Sequence, residues 1–393
     1  MILLFAALLI SEILTIFVFR HHYKGVSRTK SYLSLIVNGI LSIYIWIIYI
    51  EIEFYTGMID DPNYVWLIMC LHGAIASILA PRILLDILHF SGRLLTRNDK
   101  KRRTLTNTGI FAWIILFFII LGGTVSGRFN FKTEVVTVKV NGLPADLEGF
   151  RIAQISDLHM SGFHRHQHKL EEAMKIVNSN KPDILINSGD FVTVSYREYG
   201  NNDTILRKAN GTLGNFAVLG NHDIGTYHPE YGKTEIDSNI RRMNSLIARS
   251  GYRVLNDEGT IIRKGSATVG IAGIITMGRY PDIVHGDLSR ALADIDSTDV
   301  KILISHDPNH WMKMVAGKTD IDLTLAGHTH GMQLGIYKGP LKWSPSKYFY
   351  PEWAGLYTRG DQYLYVNRGL GVLSIPLRIG MPPEITVIVL TGK

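Results

Sequence analysis

Five short β-rich runs in the C-terminal two thirds of this chain each end in residues able to hold a metal ion. RIAQIS at 151–156 leads into Asp157 and His159, and DILINS at 183–188 leads into Gly189 and Asp190. Phe216 to Leu219 leads into GNHD at 220–223, KILIS at 301–305 into His306 and Asp307, and Ile321 to Ala326 into GHTH at 327–330. The candidate metal ligands are therefore Asp157, His159, Asp190, Asn221, His306, His328 and His330. A nitrogen and oxygen donor set without thiolate suits divalent Mn, Fe or Zn and is ill suited to Cu(I) or an iron–sulfur cluster. Each motif alone carries little: D-x-H is common, GD after a strand is usually a turn, and a lone His is usually a core residue. The signal is the succession of all five, each directly after a β-rich run. Glycines before Asp190, Asn221 and His328 fit tight turns that bring backbone close to an ion.

Such residues need a scaffold that gathers them. From Glu134 onward, β-rich runs alternate with helical patterns, the signature of a layered α/β domain. In open α/β sheets, loops at the carboxyl ends of the strands converge on one crevice, so strand-end motifs from distant parts of the sequence can meet there.

In this order D-x-H, GD, GNHD, H and GHTH resemble the signature of the calcineurin-like metallophosphoesterases, over about Val135 to Leu390. GLYTRGDQYLYVNRGLG and PPEITVIVL near the end are similar to the bacterial membrane-associated branch, which includes the UDP-2,3-diacylglucosamine pyrophosphatases of lipid A synthesis. The resemblance implies a layered α/β/β/α sandwich binding two divalent metals. One would be held by Asp157, His159, Asp190 and His330, the other by Asp190, Asn221, His306 and His328, with Asp190 bridging. It further implies that a water bridging both ions, deprotonated near neutral pH, is the nucleophile, while the ions neutralise the phosphate. His222 matches the family histidine that stabilises the transferring phosphoryl group or protonates the leaving oxygen. In calcineurin-type enzymes an Asp orients that histidine, but this chain has Thr193 there, which leaves Asp223 or a backbone carbonyl as the orienting group. A second departure is Met332, where many related sequences have Gly.

Several residues support two readings. His164, His166 and His168 flank the metal site or belong to a solvated loop entering a helix near Lys169. Arg368 reaches a phosphate or pairs with a surface carboxylate. Trp343, Tyr348, Phe349, Tyr350, Trp353 and Tyr357 are core, or they form a lip at a membrane interface.

The N-terminal third suits a different solvent. Four stretches, Ile2 to Phe19, Tyr32 to Ile52, Tyr64 to Ala80 and Gly109 to Thr124, supply the roughly 20 apolar residues a helix needs to cross a bilayer. The third is expected to continue amphipathically to Phe90, with Arg82 and Asp86 pairing at i, i+4. Glu12 and His72 lie within spans, either as working groups or simply satisfied by a neighbouring helix. Lys and Arg crowd the first and third links, whereas the middle link has Glu51, Glu53, Asp60 and Asp61 and no cation. Because Lys and Arg stay on the cytoplasmic side, this predicts an external middle link, an external N-terminus, and an external C-terminal half. With no basic residues ahead of it and no small-residue cleavage site behind, the first span reads as a retained helix.

The sequence thus predicts a four-span anchor at 1–126 and a catalytic domain at 127–393. The net charge of +7 divides into +4 up to residue 126 (11 Lys/Arg against 7 Asp/Glu) and +3 beyond it (30 against 27). The catalytic half therefore lacks the basic stripe that nucleic acid would require. Cys70 is the single cysteine, so no intrachain disulfide forms. The expected activity is hydrolysis of a phosphoester or pyrophosphate, with a lipid-linked or envelope phosphate favoured outside the cytoplasmic membrane. The rivals are a lipid A-type pyrophosphatase and a non-catalytic membrane sensor or scaffold.

Overall fold

The computed structural model describes residues 2–24, 26–279 and 281–393, and divides them into two compact units. The first comprises residues up to Ile59, Tyr64–Gly127 and the short segment Ser374–Leu377; the second comprises Asp60–Asn63, Arg128–Leu373 and Arg378–Lys393.

The first unit is helical: α1 (Ile2–Tyr23), α2 (Arg28–Glu53), α3 (Pro62–Ala74), α4 (Ala80–Leu95) and α5 (Asp99–Val125). A single π-turn, Ile75–Leu79, joins α3 to α4, so the third span is one 34-residue helix. Pro81 accounts for the irregularity, because a proline has no N–H to donate and its ring crowds the preceding turn; the wide turn accommodates it, and Ala80 donates five residues back to Ile75. All four spans are long and apolar enough to cross a membrane, and their large side chains, such as Ile13, Ile36, Ile40, Ile43 and Phe118, point outward. An outward apolar face inverts the pattern of a water-soluble helix and is that of a membrane protein.

Polar groups in these helices turn inward. The expected Arg82–Asp86 pair is corrected by the structure: Arg82 Nη2 donates to Asn38 O (2.9 Å) and Ser42 Oγ (3.0 Å) on α2, while Asp86 accepts from Thr15 Oγ1 (3.4 Å) on α1. Both side chains knit neighbouring helices, because partners inside a bundle escape the penalty of facing hydrocarbon. The intramembrane Glu12 accepts from Trp46 Nε1 (2.8 Å), and His72 shares a 3.1 Å hydrogen bond with Ser374 O.

The second unit contains two six-stranded sheets packed face to face. The first runs in the order Lys132–Val140, Glu384–Gly392, Arg151–Ile155, Ile184–Asn187, Asn215–Ala217, Arg253–Val254; the second runs Gly355–Arg359, Gln362–Val366, Leu323–Ala326, Val300–Ser305, Ala267–Ile274, Glu258–Lys264. Strand alternation assigns each side chain to a layer. Ile152, Ile184 and Ile186 face Val269, Ile302 and Leu325 between the sheets, whereas Ala153, Ile155 and Leu185 lie under helices Gln167–Ser179 and Lys233–Arg249. Leu303, Val366 and Ile274 lie under Leu288, Ala291 and Trp311 on the other side. This is the expected α/β/β/α sandwich, and burial on both faces explains why its central strands read as unbroken apolar runs.

Candidate metal centre

All five motifs follow strands of these two sheets. Arg151–Ile155, Ile184–Asn187 and Asn215–Ala217 are parallel neighbours in one, and Val300–Ser305 and Leu323–Ala326 in the other, so their carboxyl ends deliver loops to one edge of the sandwich. There the side chains form two groups, Asp157 with His159 and His330, and Asp190 with His306 and His328, and within each group the donor atoms lie within 4.8 Å of one another. His159 Nε2 and His330 Nε2 are 3.0 Å apart, and His306 Nε2 is 3.2 Å from His328 Nδ1. Asp190 links the groups, with Oδ2 3.0 Å from His306 Nε2 and 3.8 Å from His159 Nε2. Asn221 is buried, its Nδ2 donates to Tyr227 Oη (3.0 Å), and its Oδ1 has no hydrogen-bond partner among the described residues. Imidazole nitrogens turned toward one another beside carboxylates, with an orphaned amide oxygen, suit hard or borderline divalent cations and fit a metal centre.

Outer contacts fix the rings. His306 Nδ1 is 2.8 Å from Ser188 O, which makes Nδ1 the N–H and turns Nε2 inward. His328 Nε2 meets Tyr350 Oη at 2.9 Å, leaving Nδ1 inward, and Thr193 Oγ1 contacts His159 Nδ1 at 3.3 Å. Asp157 also accepts the backbone N–H of His328 (3.0 Å), and Asp190 Oδ1 that of His222 (3.0 Å). Five of the seven candidate ligands, Asp157, His159, Asp190, His328 and His330, have positive φ. Each such non-glycine conformation costs roughly 1–3 kcal/mol, and strain of this kind concentrates at functional sites. The motif glycines serve the carboxylates: a Cβ on Gly220 would collide with Asp190 Oδ1, and one on Gly327 with Asp157 Oδ2.

The electrostatics are dominated by desolvation and then by the facing charges. Burial raises the Asp157 carboxyl, yet His330 and His306 outweigh it and hold the group below the usual carboxylate range. Burial opposes the charge of His306, but Asp190 and Asp157 push its pKa up to about 10. Burial, reinforced by His306, pushes His328 down to about 4.

His222 donates from Nδ1 to the carbonyl of Thr193 (2.7 Å) and stacks on Tyr227 with ring centroids 4.0 Å apart. The orienting group is therefore a backbone carbonyl, supplied by the very residue that departs from the calcineurin pattern. Asp223 stands elsewhere: its carboxylate accepts the N–H groups of Asp190 (2.8 Å), Phe191 (2.8 Å), Val192 (3.1 Å) and Gly220 (3.0 Å). With its oxygens given to amides, it braces the GD loop and does not hold His222.

Two further carboxylates brace this region. Glu198 accepts from Ser161 Oγ (2.6 Å) and from the N–H groups of Thr193, Val194 and Ser195; burial raises its pKa, although these donors oppose the rise. The S-x-x-E spacing of Ser195 and Glu198 is a capping box, a signal available in the sequence. Asp60 accepts from Ser195 Oγ (2.5 Å), Arg197 Nη1 (2.8 Å) and Tyr231 Oη (3.1 Å), and Asn63 Oδ1 contacts His164 Nε2 (3.0 Å) and Arg165 Nη2 (3.1 Å). No spacing rule announces Asp60, which lies far from these partners in sequence.

The open readings resolve as follows. Arg368 does not face a phosphate: it is buried, paired with Glu384, and bonded to Glu134 (2.8 Å). Tyr350 and Trp353 are core, whereas Trp343, Tyr348 and Phe349 are exposed. His164 is hydrogen-bonded to Asn63, and His166 and His168 adjoin the start of the helix Gln167–Ser179, outside the ligand groups. Met332 is exposed, with positive φ.

Removing the Asp60 acceptor leaves three donors of the 195–231 region without their partner. Asp60→Ala should therefore speed amide exchange of residues 193–199 by about tenfold or more, equivalent to roughly 1.4 kcal/mol. Hydrogen exchange read by mass spectrometry tests this, and unchanged protection would show that Glu198 holds the segment alone.

A family model described as calcineurin-like phosphoesterase matches residues 150–332. A metallophosphoesterase of Bacillus subtilis, YkuE, is 32% identical over 266 residues, 66% of this chain and 85% of that protein. A zebrafish (Danio rerio) protein named transmembrane protein with metallophosphoesterase domain is 28% identical over 312 residues, 76% of this chain and 67% of that one. LpxG of Chlamydia muridarum, named a UDP-2,3-diacylglucosamine pyrophosphatase, is 28% identical over 283 residues, 62% of this chain and 84% of that one. With the strand-end motifs assembled on the expected sandwich, these matches place the chain in the calcineurin-like phosphoesterase family, as a metal-dependent hydrolase.

Proposed function

We propose that this chain is a membrane-anchored hydrolase of phosphoester or pyrophosphate bonds that works with a pair of divalent cations. Asp157, His159, Asp190 and His330 hold one cation, and Asp190, Asn221, His306 and His328 the other. The observation that carries this reading is the position of Asp190, whose Oδ2 lies within 3.8 Å of His159 Nε2 and 3.0 Å of His306 Nε2, one from each ligand group. When bound, the two cations acidify water for in-line attack and neutralise the phosphate oxygens. The protein's own contribution is orientation and proton handling. His222, fixed through Nδ1 by the Thr193 carbonyl, keeps Nε2 for a phosphoryl oxygen or the leaving oxygen.

A lipid-linked phosphate on the outer side of the cytoplasmic membrane is the favoured substrate class, because four spans confine the enzyme to the surface where such molecules concentrate. The lysines and arginines of the first and third links support that sidedness. Asp60–Asn63 belongs to the globular unit, which supports a shared side for the α2–α3 link and the catalytic half. Similarity to LpxG favours the second reading, a nucleotide-linked lipid pyrophosphate, which requires the domain to face the compartment that makes it.

The variants Asp190→Asn and His222→Ala separate the roles. The first should lose bound metal and nearly all turnover of a diester or pyrophosphate substrate. The second should keep its metal and lose roughly 10²–10⁴-fold in kcat, and full activity in either would end the hydrolase assignment of that residue. Metal loading should also be pH dependent. In chelator-treated protein His306, pushed up to about 10, carries a proton at pH 7 that must leave before Nε2 can ligate. Affinity should thus strengthen from pH 6 to 9, with at least one proton released in calorimetry across buffers of different ionisation enthalpy; release of none would remove His306 from the ligand set. For sidedness, an alkaline phosphatase fused after Lys393 should be active, and an inactive fusion beside an active cytoplasmic reporter would favour the nucleotide-linked substrate.

A further inference from the structure

The helical unit contains a second chemical site. Where the C-terminal turns of α1 and α4 meet the first turns of α5, a cavity of about 750 Å³ is lined by Lys24, Arg93, Lys100, Arg102 and Arg103, with Asp99 the one acid among the described residues that line it. Asp99 lies 3.5 Å from Arg102, so it offsets only one of the five cations. His89 also lines the cavity and is 5% exposed. Thr106 Oγ1 donates to Arg102 O (3.1 Å), so the 3.0 Å contact with His89 makes Nδ1 the donor. His89 Nε2 is buried and has no hydrogen-bond partner among the described residues. Arg93 is held in place by donating from Nη2 to His21 Nε2 (2.7 Å).

The retention of Lys and Arg beside cytoplasmic ends explains basic links, but it explains neither a buried histidine with an unused nitrogen nor a defined cavity. An adjoining groove of about 350 Å³ shares His21 and Lys24 with the cavity and is otherwise lined by Ile13, Ile16, Phe17 and Arg20. A cationic chamber continuous with an apolar groove along a membrane-spanning helix matches an amphiphile with a phosphate head and a hydrocarbon tail. The residues lining the cavity all belong to the helical unit, and the metal-ligand candidates all belong to the globular unit.

We propose that this cavity binds the phosphate-bearing headgroup of an anionic phospholipid, with an acyl chain along the neighbouring groove. The test uses full-length protein in detergent and native mass spectrometry with phosphatidylglycerol, phosphatidylcholine and inorganic phosphate. Phosphatidylglycerol should bind at least about tenfold more tightly than phosphatidylcholine, at roughly a few fold to tenfold per engaged cation. The double variant K100Q/R103Q should weaken phosphatidylglycerol binding by about tenfold or more. R97Q/K101Q, which removes the same charge outside the cavity, should change it by less than about threefold. Melting temperature and turnover of a soluble substrate should match wild type in both. Equal weakening by the two doubles would reduce the effect to diffuse charge and overturn the proposal. So would equal binding of phosphatidylcholine, or inorganic phosphate competing as well as the lipid. The readout is lipid occupancy, so it stands or falls independently of the hydrolase reading.

Discussion

Two carboxylates, Asp157 and Asp190, are taken fully out of solvent at the edge of two packed sheets, and a buried negative charge persists only when opposite charge or donors surround it. Imidazoles of His306, His330 and His159 supply that surrounding within 4 Å, and backbone N–H groups supply the rest. Most features of the globular unit serve this arrangement. The left-handed backbone at five ligands, the glycines that cannot carry a Cβ, and the Asp223 carboxylate gathering four amides all place two acids where neither could remain alone.

Around that centre lies a layer of groups that decide its shape. Glu198 and Asp60 hold the 193–199 segment from two directions, and that segment carries the carbonyl that orients His222. Arg378, buried beside His330, donates to carbonyls of Arg368, Gly369 and Gly371, so the loop after Gln362–Val366 is fixed by a cation that neither strand pattern nor motif requires. Burial, with Arg368 nearby, lowers the pKa of Arg378 to about 9. Exposed Leu334, Ile336, Leu341, Trp343, Tyr348 and Phe349 fall in the segment that also contributes Tyr350 to His328.

The helical unit obeys the complementary rule. In hydrocarbon, apolar side chains are free to face outward and polar ones must find each other, so Arg82, Asp86, Glu12 and Thr15 are the groups that register the helices. The same logic makes the basic cavity at the ends of α1, α4 and α5 conspicuous, since five cations line one space.

The sequence by itself determined the two solvents, the four spans, the strand-end motifs and the layered α/β scaffold, because these depend on local periodicity and on residue types at short spacing. It also exposed the seven ligand candidates, since each sits directly after a strand. Tertiary structure alone decided which groups serve them. Thr193 contributes a carbonyl, which no side-chain identity encodes. Asp223 turned to backbone amides, Arg368 went into the core with Glu384, and Arg82 and Asp86 chose other helices over each other. Each of these choices pairs groups 16 to 71 residues apart, and the competition among partners for a buried charge is settled only once the chain has closed around it.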